Sequence, residues 1–101
     1  RILARDLRTP VGEVDLIARR GRVLALIEVK RRATRDQAAT AISPRQRQRI
    51  ARAGEAFLVR RPDLAHLDVR FDALLLAPGR WPHHVVDAWR HEQPGGDRLR
   101  V

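Results

Sequence analysis

The chain has no cysteine and no methionine, and only one of its 21 basic residues is a lysine. Without cysteine there are no disulfides and no thiolate metal sites. Aromatic residues make up 4% of the sequence, and Phe57, Phe71, Trp81 and Trp89 are expected in the core rather than as platforms for stacked bases. No apolar run approaches the roughly 18 residues that span a bilayer, and nothing at the start has the layout of a signal peptide. The expected location is cytoplasmic, away from membranes. A glycine-rich phosphate loop is missing, as is a serine or cysteine in a nucleophile motif. His83 and His84 are adjacent, so on a strand they face opposite ways, and His66 and His91 have no partner at ligand spacing. A histidine metal site is therefore not expected.

What is present is one domain's worth of globular sequence. At 101 residues, 44% hydrophobic and 33% charged, the chain buries roughly 60–65% of its unfolded surface, enough for a single core. Residues 1–92 are read as that domain and 93–101, around Pro94-Gly95-Gly96, as a flexible tail. Because residue 1 is Arg and Met is absent, an N-terminal element is expected upstream. A net charge of +9 implies an anionic partner, nucleic acid first, since clustered cations release counterions on meeting a polyanion.

Periodicity supplies the elements. Arg1–Arg8 reads as a short strand ended by Thr9-Pro10-Val11-Gly12. Glu13–Arg19 alternates, with Glu13, Asp15 and Ile17 on one face and Val14, Leu16 and Ala18 on an apolar one. Arg19–Arg22 is a turn around Gly21, and Val23–Lys30 is apolar on both faces up to Glu28, the pattern of a central strand. A hairpin loop of even length predicts Glu13 opposite Glu28 and Asp15 opposite Leu26, which makes Asp15 and Glu28 diagonal neighbours on one face. A one-residue slip would separate them.

Arg31–Ile42 reads as a mobile basic loop. Ser43-Pro44-Arg45-Gln46 carries three agreeing helix-start cues: Ser as cap, Pro at the first position and Gln three after the Ser. The predicted helix runs to about Arg60, buries Ile50, Ala53, Gly54, Phe57 and Leu58, and lines up Arg45, Arg49 and Arg52 on another face. Asp63–His66 is a connection. Asp68–Ala77 is a strand turning Val69, Phe71, Ala73 and Leu75 inward, and Pro78-Gly79 closes it. Arg80–Val86 is a short edge strand, followed by a final turn at Asp87-Ala88-Trp89.

The chemistry concentrates between Gly12 and Lys30. Lys is a compact ammonium and Arg a planar fork, so a lone lysine two residues after Glu28, in a chain that otherwise uses Arg, marks a position that needs an amine. Two acids and that amine on one face beside apolar strands form a costly arrangement unless a ligand compensates it. Mg²⁺ or Mn²⁺ suits one or two carboxylates with a backbone oxygen, so Asp15, Glu28 and the carbonyl of Val29 are the expected metal ligands. Lys30 would orient the attacking water or offset developing negative charge, with Glu13 as a supporting base or extra ligand. The expected nucleic-acid contacts are Arg31, Arg32, Arg35, Arg45, Arg49 and Arg52. The reading is a metal-dependent endonuclease-like protein that hydrolyses phosphodiester bonds in DNA, branched or flapped DNA included, with room for a homodimer; the alternative is a non-catalytic nucleic-acid-binding or assembly module.

Arg1-Ile-Leu-Ala-Arg5, Gly12-Glu-Val-Asp-Leu-Ile-Ala18, Ile27-Glu-Val-Lys-Arg31 and Arg70-Phe-Asp72, in that order, resemble the YraN or UPF0102 family of small bacterial proteins. That family looks like the restriction-endonuclease-like PD-(D/E)XK superfamily and is similar to archaeal Holliday junction resolvases. The resemblance implies an α/β fold with a restriction-endonuclease-like mixed central β-sheet flanked by helices, and it implies Asp15, Glu28 and Lys30 as signature residues. It also implies an N-terminal helix with a Glu, which this chain does not include. Where relatives often carry Lys early in the helix after the basic loop, this chain has Gln46.

Overall fold

The computed structural model describes residues 1–31, 37 and 41–91. Arg32 and Arg35, most of the basic loop and the 93–101 tail lie outside the described residues. Five strands form one sheet in the order β1-β2-β3-β4-β5: β1 (Ile2–Thr9), β2 (Gly12–Arg20), β3 (Val23–Arg31), β4 (Asp68–Leu76) and β5 (His83–Trp89). Only β3 and β4 pair in parallel. Parallel neighbours need a long crossover, and here it carries helix α1 (Pro44–Val59) and a 3-10 turn at Pro62–Leu64. This is the expected mixed α/β sheet, with β3 at its centre.

Local chemistry sets each turn. Between β1 and β2, the Thr9 hydroxyl accepts from the Gly12 and Val11 N–H groups and donates to the Gly12 carbonyl. Between β2 and β3 the loop is Gly21-Arg22, closed by the pair Arg20↔Val23, and Gly21 supplies the positive φ of 60°. Helix α1 starts as expected: the Ser43 side chain accepts from the Gln46 N–H while the Gln46 side chain accepts from the Ser43 N–H.

The helix lies over β2 because two glycines let it approach. A Cβ on Gly12 would land on the carbonyl oxygen of Arg49, and one on Gly54 would meet the Cδ1 of Leu26. Ile50, Ala53 and Gly54 are buried in this contact, and Phe57 and Leu58 pack at its margin. Burial of each large aliphatic side chain here contributes roughly 1.5–3 kcal/mol.

Four expectations are corrected. Beside Gly12, the buried residues of β2 are Val14 (1% exposed) and Ile17 (0%), three apart, so burial is not confined to the face of Val14, Leu16 and Ala18. Asp6, across from Asp15 in this register, has a positive φ of 48°, and the β1–β2 register shifts between Ile2 and Ala4. On β4, Val69 faces solvent, while Asp72 is fully buried. Asp87–Trp89 belongs to β5 rather than to a final turn, with Asp87 at a φ of 55° where the β4–β5 register shifts. Trp81 is not core: it is 93% exposed, whereas Trp89 is buried and stacks on Phe71 at 5.4 Å.

Candidate active site

Strands β2 and β3 carry the acids and the amine. Their register pairs Leu16 with Ile27 and Ile17 with Leu26, so its continuation sets Asp15 directly opposite Glu28 rather than diagonally. The difference from the expected register is two residues. It arises because the turn is Gly21-Arg22 and not Arg20-Gly21, and a shift of two leaves every side chain on its face. The even loop is therefore enough to keep Asp15, Glu28 and Lys30 together.

Each of the three is held by a specific contact. Asp15 Oδ2 accepts the main-chain N–H of Val29 at 2.8 Å, which fixes the carboxylate against β3. The Glu28 side chain is 14% exposed and lies 3.7 Å from Lys30 Nζ, and Lys30 is 23% exposed. Lys30 Nζ also donates to Gln46 Oε1 at 3.3 Å. The same Gln46 oxygen accepts the Ser43 N–H at 3.1 Å, so the start of α1 and the Lys30 ammonium share one acceptor.

The balance of charge at this cluster is unfavourable for a carboxylate. Burial, and then the hydrogen bond and charge of Asp15, push the Glu28 carboxyl up to about 7, and the opposing pull of Lys30 does not cancel them. Near neutral pH about half of the molecules therefore keep a proton on Glu28. A dication would replace that proton, and two carboxylates with water and phosphate oxygens are a donor set that Mg²⁺ accepts. Among the described residues no three His, Cys, Asp or Glu side chains gather into a larger metal-binding group.

The other expected residues are distributed around this cluster. Both oxygens of Glu13 are engaged by Arg49, at 2.7 to 3.2 Å, and that guanidinium holds the Glu13 carboxyl below its ordinary value. Val29 contributes its N–H to Asp15. Arg31 is exposed at the end of β3, and Arg45 and Arg52 are exposed on α1. Beside Asp15 a groove of about 440 Å³ opens, lined also by Asp6, Arg8, Thr9 and Glu13.

The family described as "Uncharacterised protein family UPF0102" matches residues 1–76, the span that holds Asp15, Glu28, Lys30 and Gln46. The chain belongs to that family. It is 54% identical over 90 residues to the UPF0102 protein of Parvibaculum lavamentivorans, covering 89% of this chain and 68% of that relative. The UPF0102 protein of Paramagnetospirillum magneticum is 57% identical over 93 residues, 88% of this chain and 72% of the relative. The one from Maricaulis maris is 52% identical over 89 residues, 88% and 70% of the two chains.

The contacts of two polar residues in this UPF0102 chain escape sequence reasoning. Gln46 reads only as a helix-start residue, because the capping box explains it fully without Lys30. Asp72 is the one buried charged side chain among the described residues. Arg70 forks onto its two oxygens at 2.9 Å each, the Asp87 N–H donates at 2.9 Å and His84 Nε2 lies at 2.8 Å. Burial raises its carboxyl, but Arg70, the Asp87 N–H and His84 together outweigh that and hold it low. A signal existed: Asp72 is the only acid between Phe71 and Leu76, two residues after an arginine. Its register partner is Ile27, whereas Glu28 pairs with Ala73, so Asp72 is on the opposite face of the sheet from Glu28.

Proposed function

We propose that this protein is a metal-dependent endonuclease-like enzyme that hydrolyses phosphodiester bonds in DNA, branched or flapped DNA included. The observation that carries the reading is the Asp15–Glu28 pair, two carboxylates pressed together in a partly buried site with one ammonium beside them. Such pairing costs stability unless the charge is used. The element order, with Asp on the second strand, Glu-x-Lys on the third and a helix crossing to a parallel fourth, supports a place with the restriction-endonuclease-like PD-(D/E)XK proteins.

Asp15 and Glu28 would hold Mg²⁺ or Mn²⁺, with the Val29 carbonyl as the expected further oxygen. The cation would supply polarisation of the phosphoryl oxygen and a water of lowered pKa. The chain's own residues do the rest. The Val29 N–H keeps Asp15 Oδ2 fixed on β3. Glu28 gives up its proton near neutrality, so the site charges in the range where the enzyme would work. Lys30, held by Gln46 and Glu28, offers a localised positive charge to the oxygens that gain negative charge as the phosphorus–oxygen bond breaks.

The test uses the full chain with linear, flap and four-way-junction DNA, with Mg²⁺, with Mn²⁺ and with EDTA. Metal-dependent cleavage that falls by at least 100-fold in Asp15→Ala and in Lys30→Ala is the expected result. Salt-sensitive binding with no cut in either metal would sink the enzyme reading and leave a binding module.

A further inference from the structure

The loop between β4 and β5 presents a tryptophan to solvent. Trp81 is 93% exposed, while Phe71 and Trp89 stack on each other and Phe57 packs against the core. Tryptophan is highly buried on average, and Trp81 is outside the core cluster, so packing of the fold does not account for it. The backbone around it is restrained. Gly79 turns the chain at a φ of 71°, the Arg80 N–H donates to the Ala77 carbonyl at 3.2 Å, and Pro82 holds the residue before it to extended conformations. A loop restrained in this way has less entropy to lose when the ring meets a partner.

The sheet register puts this loop at the same end of the molecule as Glu28 and Lys30. Lys30 pairs with Leu75 and Leu75 with His83, so the three lie side by side in one row across β3, β4 and β5. Two strand spacings of about 4.8 Å, and two extended residues back from His83, set the Trp81 backbone on the order of 12 Å from that of Lys30. A DNA strand advances that far in three or four nucleotides, at about 3.4 Å each.

Charge decides the kind of partner. Arg80 precedes Trp81 and is exposed, as is Arg31 at the end of β3. Arg31 pairs with Leu76 and, together with Leu76, Ala77 and Pro78, lines a hollow of about 360 Å³ at the foot of the loop. No acid occurs between Asp72 and Asp87, so this stretch of chain holds nothing that offsets the two guanidinium groups.

We propose that Trp81 is a stacking platform for an unpaired base of branched or flapped DNA, with Arg80 and Arg31 on the neighbouring phosphates. Every base has a face that an indole ring can cover, and a guanidinium fork meets two phosphate oxygens. In a paired duplex the base faces are closed by their neighbours, so the platform selects DNA in which a base has left the stack. That this base lies a few nucleotides from the reacting phosphate rests on the nuclease reading above; the stacking contact itself does not.

The experiment measures, by anisotropy and in EDTA, how the full chain binds a fluorescein-labelled 20-base-pair duplex and the same duplex ending in two unpaired arms. Trp81→Ala is expected to weaken binding of the forked DNA by roughly tenfold, the loss of one stacked base, and of the blunt duplex by less than about twofold. Trp81→Phe keeps a ring and is expected to restore most of the difference. Because Trp89 stays in place in Trp81→Ala, quenching of the intrinsic fluorescence by forked DNA is expected in the wild type and lost in that variant. Arg31→Ala and Arg80→Ala are each expected to lower the slope of log affinity against log salt on the forked DNA by about 0.7. Arg22→Ala, roughly 30 Å from Arg31 at the other end of β3, is the control and leaves the slope unchanged. Equal slopes in all three arginine variants, or equal losses on both DNAs in Trp81→Ala, would overturn the site. So would tighter binding of forked RNA than of forked DNA. A Trp81→Ala chain whose mass in solution changes while its affinity for forked DNA does not would make the loop a contact between copies of the chain, and would overturn it too. Because no cleavage enters this assay, the two readings fail separately: metal-dependent cutting with an unchanged fork preference in Trp81→Ala removes the platform alone, and a lost preference without cutting in any metal removes the enzyme alone.

Discussion

Glu28 and Asp72 are both carboxylates on the sheet, yet their surroundings drive them in opposite directions. Asp72 is buried, but Arg70, the Asp87 N–H and His84 all stabilise its charged form. Its contribution to stability is therefore present above the ordinary 3.8 and is lost as pH falls through its lower folded value. Glu28 has Asp15 for a neighbour, and its carboxyl rises from 4.5 to about 7. Between those two values the folded chain binds more protons than the unfolded one, so stability falls as pH rises, and the whole cost is present above 7. The difference corresponds to roughly 3 kcal/mol for the pair of acids. Glu28→Gln is accordingly expected to make the metal-free protein more stable at pH 8, by on the order of 1–3 kcal/mol, and to change it little near pH 4.5. Urea unfolding at the two pH values checks this. A variant that is equally destabilised at both would show that Glu28 is an ordinary structural partner of Lys30.

At the scale of elements, α1 does two jobs: it covers β2 and it delivers Gln46 to Lys30. Its seating depends on Gly12, where a Cβ would strike the Arg49 carbonyl, a backbone atom that cannot swing aside. Gly12→Ala is expected to cost about 3 kcal/mol, at the upper end for overpacking. Gly21→Ala meets no atom within 4 Å and carries only its φ of 60°, a cost of about 1 kcal/mol. Urea midpoints for both variants make the comparison, and a Gly12 variant no worse than the Gly21 one would contradict this seating of the helix. How far the elements can be read in advance follows from the range of the interactions involved. The helix start is local, and Ser43, Pro44 and Gln46 specify it completely. The meeting of Asp15, Glu28 and Lys30 needs only an even loop, and a central strand apolar on both faces betrays β3. The two-residue offset is hidden because Gly21 fits either position of the turn. The burial of both Val14 and Ile17 is hidden because the cluster that covers them is built from residues of other elements. Asp72 is only half legible, because Arg70 is two residues away but its other partners come from β5, twelve and fifteen residues on.

On the scale of the whole molecule, the proposed reading makes folding and cation binding draw on the same carboxylates. A cation that binds only the folded chain stabilises it by roughly 1.4 kcal/mol at ten times its dissociation constant, which for a domain of this size is several degrees in the melting temperature. A cation held by Asp15 and Glu28 would compete with the proton on Glu28, so its effect is expected to be full at pH 8, halved in affinity near pH 7 and nearly gone by pH 5.5, following the Glu28 carboxyl. The net charge of +9 disfavours nonspecific cation binding on electrostatic grounds. Melting curves with and without 10 mM Mg²⁺ or Mn²⁺ at pH 5.5, 7 and 8 test the linkage, with Asp15→Asn and Glu28→Gln as references that retain shape but lose charge. The wild-type chain should show a pH-dependent rise and both variants none. A rise of the same size in the variants would place the cation elsewhere on the surface, and no rise in the wild type at pH 8 would leave the Asp15–Glu28 repulsion without a ligand to relieve it.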